Sequence, residues 1–269
     1  MKFYKMSGSG NDFVFIDGIG QPDQATVAMD PDFVRTVCAA HTGVGADGLA
    51  VFLPDAELEF SLAYFNRDGS VGELCGNASL CAVRLSNELG LARQSGLRFR
   101  TPAGVINGRI RDGRPEVDLQ AVQGLRPDAG IPRRSAERAL GFVDSGVPHL
   151  VVRVDSLQGI PLDSRGPELR HHASLPAGAN VNWVAKDPVG AWEIRTFERG
   201  VEAETLACGT GAVAAAVLLE AWGESGDSTT LRTKSGQPLQ VRLKAAGGGT
   251  IPTLAGEGRI VFEGTLREL

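Results

Sequence analysis

Two apolar runs with helical spacing stand out along the chain. Each begins directly after a Cys-Gly pair, at Cys75-Gly76-Asn77 and Cys208-Gly209-Thr210, and each stops at a glycine fifteen residues after its cysteine, Gly90 and Gly223. Around them lie short apolar segments bounded by polar and turn residues. Asp12 to Asp17, Leu49 to Leu53 and Glu59 to Phe65 read as strands, and Asp30-Pro31-Asp32 predicts the capped start of a helix running to about Ala40. Gly96 to Pro102, Val105 to Arg111 and Glu116 to Leu119 read as short strands joined by the hairpin dipeptides Asn107-Gly108 and Asp112-Gly113. Val122 to Ser135, rich in Gly, Pro and Arg, reads as a linker. Beyond it the order recurs: a strand from His149, a region over Asp163 to Leu175, strands at Asn180 to Ala185 and Ala191 to Phe197, the second cysteine helix, then closing strands.

The recurrence is detailed enough to define domains. Phe65-Asn66-Arg67 precedes Cys75 by ten residues and Phe197-Glu198-Arg199 precedes Cys208 by eleven. Arg100-Thr101-Pro102-Ala103-Gly104 and Arg232-Thr233-Lys234-Ser235-Gly236 follow their helices at nearly equal offsets. A weaker match relates Ser9-Gly10 and the strand after it to Ser145-Gly146 and the strand after that. Self-similarity at so long a period implies two homologous domains related by a pseudo-twofold axis, with a site between them. The expected fold is therefore α+β: two pseudo-symmetric domains, each a mostly antiparallel sheet wrapped around a central helix. The expected bounds are 1–121, joined by the C-terminal strand 259–269, and 122–258.

Composition narrows the partners more than the fold. The chain has 269 residues, enough for two cores, and a net charge of -5 that gives no reason to expect nucleic acid or an anionic membrane. Neither a signal peptide nor an eighteen-residue apolar span is read, and four cysteines do not make a disulfide scaffold, so a cytoplasmic location is expected. Gly43-Val44-Gly45-Ala46-Asp47-Gly48 matches the dinucleotide fingerprint letter for letter. It follows a helical segment and precedes a strand, the reverse of the order that chemistry needs, so a structural loop is the better reading.

Cysteine at a helix start sits among unsatisfied N–H groups that favour negative charge, which lowers a thiol pKa and binds anions. Two thiols can serve as base and acid on opposite faces of one carbon without a cofactor. Cys75 and Cys208 are therefore the candidate catalytic pair, and the donors of Gly76-Asn77 and Gly209-Thr210 are candidates to hold an α-carboxylate. Cys38 and Cys81 read as buried hydrophobes, and the cysteine spacing is not that of metal ligands.

The residues that carry this chemistry also carry a resemblance. Lys5-Met6-x-Gly8-x-Gly10-Asn11-Asp12-Phe13, His41-x-Gly43-Val44-Gly45-Ala46-Asp47-Gly48, Phe65-Asn66-x-Asp68-Gly69-Ser70, Cys75-Gly76-Asn77, Glu198-Arg199-Gly200-Val201 and Glu204-Thr205-Leu206-Ala207-Cys208-Gly209-Thr210-Gly211 occur in an order that resembles the diaminopimelate epimerases over almost the whole chain. That resemblance implies an isomerase that needs no cofactor or metal, takes a small amino-acid substrate, and interconverts LL- and meso-2,6-diaminoheptanedioate for lysine and peptidoglycan precursor synthesis. It implies substrate contacts at Asn11, Asn66, Asn180 and Arg199, chiefly to the distal end. For Arg199 the chemistry agrees, because a guanidinium binds a carboxylate through two parallel hydrogen bonds. It also implies that His149 and Glu198 lie near the cysteines as supporting groups, with Glu198 placed against the substrate as well. Turn-forming asparagines, a solvated Arg199 or Glu198 and a satisfied core His149 are the bland alternatives.

Departures from the family pattern bear on the substrate. Val147 stands where many members have Asn, Ala78 and Leu80 replace the usual Gly and Arg, and Ala40 stands where Arg often precedes His41. A racemase of another amino acid, a thiol-free isomerase like the phenazine-biosynthesis relatives, and a non-catalytic amino-acid-binding or thiol-redox protein are the rival readings. Redox work favours adjacent thiols as in C-x-x-C, which is not found here. Oligomeric state is open, with a homodimer as one option.

Overall fold

In the computed structural model, which describes residues 1–72, 74–92, 96–246 and 249–267, the first seventeen residues form a hairpin. β1 (Lys2–Gly8) and β2 (Asn11–Asp17) pair antiparallel from Tyr4–Phe15 to Gly8–Asn11. Ser9 and Gly10 turn the chain with φ of 56° and 117°, and glycine adopts such values without a Cβ penalty. Two helices follow, α1 (Pro22–Ala28) and α2 (Pro31–Cys38); the Asp30 carboxylate accepts from the N–H groups of Asp32 and Phe33 and starts the second as its sequence predicts. β3 (Gly48–Leu53) then lies parallel to β2 and antiparallel to β4 (Phe60–Asn66), which carries the short β5 (Val71–Gly72).

The central helix α3 (Gly76–Glu88) comes next, and Gly90 ends its last turn at φ 71°. β6 (Leu97–Thr101), parallel to β4, leads into the antiparallel strands β7 (Gly104–Arg111) and β8 (Arg114–Asp118). The Asp112-Gly113 turn is where it was expected. Asn107-Gly108 is not a turn: both residues lie inside β7, paired with Arg98 and Leu97. A Cβ on Gly108 would meet Val83 Cγ2 of α3 at 2.4 Å, so this glycine serves close helix packing.

Compact unit 1 comprises Met1–Asp118 and Ala255–Leu269, within which the C-terminal strand Arg259–Thr265 pairs with β1. Of the expected strand 259–269, positions 268 and 269 lie outside the described residues. Period two divides the apolar side chains between faces. Val14, Ile16, Leu49 and Val51 pack with Val34 and Val37 of α2. Phe13, Phe15, Phe52, Phe60 and Phe99 form a continuous aromatic series, with Phe60 stacked on Phe99 at 5.0 Å.

Unit 2 spans Leu119–Leu254, so the division falls three residues before the expected bound. Its first strand, β9 (Gln123–Arg126), lies inside the presumed linker and pairs with β10 (Glu137–Asp144). Ala129 and Ile131 are buried in the core cluster. The segment therefore belongs to the sheet and core of unit 2 rather than to a connector, with its Gly, Pro and Arg residues on the exposed side.

From there the element order of unit 1 recurs. β10 is antiparallel to β11 (Pro148–Val154), and α4 (Leu162–Arg170) leads to β12 (Asn180–Lys186), parallel to β11. β13 (Trp192–Glu198) is antiparallel to β12 and carries β14 (Ala203–Thr205). Helix α5 (Gly209–Ala221) follows and stops before Gly223 at φ 73°. β15 (Ser228–Arg232) and β16 (Pro238–Ala246) pair antiparallel, and β17 (Gly249–Ala255) closes the unit. Every residue of α5 from Gly209 to Leu219 is buried, and its strand neighbours are β10 to β13, β15 and β16. A helix apolar on all sides is one the sheet must surround. Opposite it, α4 covers Leu150, Val152, Val181 and Trp183.

Candidate functional site

Each cysteine stands at the N-cap of its helix with the same extended backbone, though only the Cys208 sulfur accepts a capping N–H, that of Gly211. Cys75 has φ -126° and ψ 113°, Cys208 has φ -138° and ψ 112°, and both are half-buried. Extended backbone at the N-cap followed directly by glycine leaves the first helical N–H groups open to an anion. The other two cysteines have different surroundings. Burial pushes the Cys38 thiol up to about 11 and the fully buried Cys81 thiol well above its ordinary range, so neither serves as a base near neutral pH.

In unit 1 the start of α3 is tied to the start of β2. Asn77 Nδ2 donates to Asn11 Oδ1 at 2.7 Å, and Asn11 Nδ2 donates to Asp47 Oδ2 at 2.9 Å. The Asp47 backbone N–H in turn donates to Asp12 Oδ1 at 3.1 Å. Lys5 pairs with Asp12 and donates to the Gly45 carbonyl, which orders the Gly43–Gly48 loop from within. A Cβ on Gly43 would lie 2.1 Å from the Thr36 carbonyl oxygen, so that loop is packed on α2 by its glycine. Asn66 is exposed at the end of β4 and donates to Ser70 Oγ at 3.0 Å. Beside Cys75 a small cavity includes Tyr64, Ser79 and Thr101 in its wall, and the buried Ser79 hydroxyl finds no partner among the described residues.

In unit 2 the start of α5 meets the start of β11. His149 is fully buried, and its Nε2 lies 3.0 Å from Thr210 Oγ1. Thr210 Oγ1 is 3.5 Å from Cys208 Sγ, and the Gly211 N–H donates to the same sulfur at 3.4 Å. Ser145 Oγ donates to the Thr210 carbonyl at 2.9 Å, holding the β10–β11 turn, and with it Val147, against the helix start. Burial, with the Arg199 charge second, pushes the His149 imidazole down to about 3. Asn180 opens β12 beside His149 in register and accepts the Arg199 N–H at 2.7 Å; Arg199 Nη1 donates to the Ala177 carbonyl at 3.2 Å. Glu198, half-buried, ends β13 next to it.

The structure thus joins Cys75, Gly76, Asn77 and Asn11 in unit 1, and His149, Cys208, Gly209 and Thr210 in unit 2, with Asn180 and Arg199 as a neighbouring pair. Leu80, one of the departures from the resemblance, is fully buried in α3 as a core residue. Sequence reading missed Asn182 and Thr196. Both are buried polar residues on β12 and β13, and the only signal was a second Asn two places after Asn180 on the same strand face. Among the described residues no three His, Cys, Asp or Glu side chains gather in metal-binding geometry, and no helix is long and apolar enough to cross a membrane.

These features define first a fold class. A probable proline racemase from Agrobacterium radiobacter K84 superposes with a TM-score of 0.70 at 18% identity, covering 99% of this chain and 92% of that one. A phenazine biosynthesis protein of the PhzF family from Bacillus anthracis gives 0.73 at 14% identity over 100% and 99%. At such identities the likeness establishes the α+β fold alone. Sequence supplies the rest: a model of the diaminopimelate epimerase family matches residues 3–123 and 141–259. Proteins named diaminopimelate epimerase from Gemmatimonas aurantiaca and Aquifex aeolicus are 48% and 39% identical, with this chain covered in full and the relatives over 100% and 98%. The chain belongs to the diaminopimelate epimerase family.

Proposed function

We propose that this protein epimerises LL-2,6-diaminoheptanedioate to the meso isomer by two-base proton transfer through Cys75 and Cys208. The observation that carries the reading is the matched start of α3 and α5, each a half-buried cysteine in extended backbone before a glycine, in a chain of this family. One thiolate takes the α-proton: the C–H bond breaks, an S–H bond forms, and the electron pair stays on the α-carbon. The other thiol delivers its proton to the opposite face. In the reverse direction the roles exchange.

The N–H groups at Gly76-Asn77 and Gly209-Thr210 serve as donors to the α-carboxylate, where negative charge grows as the proton leaves. Asn11, Asn66, Asn180 and Arg199 read as contacts to the non-reacting end, and Glu198 as a polar group near the reacting centre. Both chemical steps need reduced thiols, for which the cytoplasm is the natural setting. Val147 supports a second reading, a racemase for another amino acid, because an apolar side chain at that turn offers no hydrogen bond to a distal group. Chiral analysis of the protein incubated with LL-diaminopimelate, without added pyridoxal phosphate or metal, decides between them: appearance of the meso isomer supports the first, and turnover only of other amino acids supports the second.

A further inference from the structure

Behind Cys208 the structure holds a chain of buried polar groups whose directions are fixed by one carbonyl. Asn182 Nδ2 lies 3.0 Å from the Leu150 backbone oxygen, which can only accept, so the amide NH2 must be on that side. The same nitrogen lies 3.0 Å from His149 Nδ1, which must therefore accept. On the other side Asn182 Oδ1 takes the Thr196 hydroxyl at 2.9 Å. With Nδ1 an acceptor, the neutral ring carries its proton on Nε2 and donates it to Thr210 Oγ1 at 3.0 Å. The Thr210 hydroxyl, its oxygen already accepting from the ring, has its own proton to give, and Cys208 Sγ is its neighbour at 3.5 Å.

We propose that Asn182, backed by Thr196, is a positioning residue that holds His149 as the Nε2–H tautomer, so that Thr210 donates its hydroxyl proton to Cys208. The inference rests on Cys208 being a reactive thiol, as the functional reading has it. His149 then acts as a donor at the end of a relay and does not take the Cys208 proton. The thiolate receives two hydrogen bonds, from Thr210 Oγ1 and from the Gly211 N–H at 3.4 Å, and donors to the charged form favour that form.

Independent features of the site agree. A protonated imidazole would set Nδ1–H against the Asn182 NH2, and flipping that amide would set its oxygen against the Leu150 carbonyl. Burial, together with the Arg199 charge, also holds His149 neutral. Asn182, Thr196 and His149 are each at most 3% exposed, so no water competes freely for these directions. Gly211 completes the enclosure: a Cβ there would come within 2.3 Å of Asn182 Oδ1.

Nitrogen-15 NMR of the histidine-labelled full chain without substrate tests the tautomer, with Asn182→Asp and His149→Gln assigning the signals. The expected result is a protonated Nε2 and an unprotonated Nδ1 that do not titrate between about pH 5 and pH 8. In Asn182→Asp the proton is expected to move to Nδ1. A titrating ring, or a protonated Nδ1 in the native chain, overturns the proposal.

Site-resolved iodoacetamide alkylation against pH tests the relay, with Cys75 as internal reference. Thr210→Val is expected to raise the Cys208 midpoint by about one pH unit and Thr210→Ser to restore it. An unchanged Cys208 midpoint in Thr210→Val contradicts the relay even where the NMR result holds. If Thr210→Val fails to fold, Thr210→Ala takes its place in the alkylation, and the native-chain NMR decides the tautomer. Both readouts are taken without substrate, so a chain that passes them yet epimerises nothing counts against the functional reading and not against the relay.

Discussion

Asn77 donates its side-chain amide to Asn11 across 2.7 Å, linking the first turn of α3 to the first residue of β2. Asn77 is only 1% exposed, so its donor has no solvent to fall back on. Asn11→Ala removes that acceptor and the donor to Asp47 together. Leaving a buried donor unsatisfied costs about 1–3 kcal/mol, so the urea midpoint of Asn11→Ala should fall by a corresponding amount with the m-value unchanged. An unchanged midpoint would show that the start of α3 is held by other contacts.

His149 makes a distinct contribution to pH dependence. Burial pushes its folded pKa down to about 3 from the ordinary imidazole value of about 6.5. Above about 6.5 the ring is neutral in both states and contributes no slope. As pH falls from there towards the folded value, the unfolded chain binds a proton that the native state refuses, and stability drops by up to about 1.4 kcal/mol per pH unit. Carboxylates such as Glu204, held low by its bond to Arg195, act mainly below the ordinary glutamate value of about 4.5. Urea melts between about pH 4.5 and pH 6.5 should therefore show this slope, and His149→Gln should flatten it.

The Gly43–Gly48 loop is expected to be silent towards nucleotides. Gly43→Ala would drive a Cβ to within 2.1 Å of the Thr36 carbonyl and 2.6 Å of the Val37 carbonyl, both backbone atoms that cannot step aside. The variant should lose about 1–3 kcal/mol of stability. The native chain should show no thermal shift with dinucleotides; a clear shift would revive the fingerprint reading.

The sequence made the cysteine helices readable because both ends carry local signals: Cys-Gly at the start, and a glycine at positive φ after the last turn. Strands β3, β4, β12 and β13 were readable as short apolar-rich segments between turn residues, β3 as an unbroken apolar run. β9 was not, since all four of its residues are exposed and its identity depends on pairing with β10. Asn107-Gly108 misled for a related reason: the dipeptide favours a turn locally, while the demand for a missing side chain comes from Val83 on a distant helix. The relay through Asn182 and Thr196 is the clearest limit. Its members come from four separate elements, and only the Leu150 carbonyl, a backbone atom, gives it direction.

The central claim is that Cys75 and Cys208 each handle a proton of one substrate carbon. The most direct test is incubation of the reduced protein, and of Cys75→Ala and Cys208→Ala, with LL-diaminopimelate in deuterium oxide, following isomer composition and α-deuterium together. The native chain should form the meso isomer with solvent deuterium at the inverted centre, and each single variant should lose epimerisation by at least about a hundredfold. Full activity in either variant, or inversion without deuterium uptake, would contradict the two-thiol account.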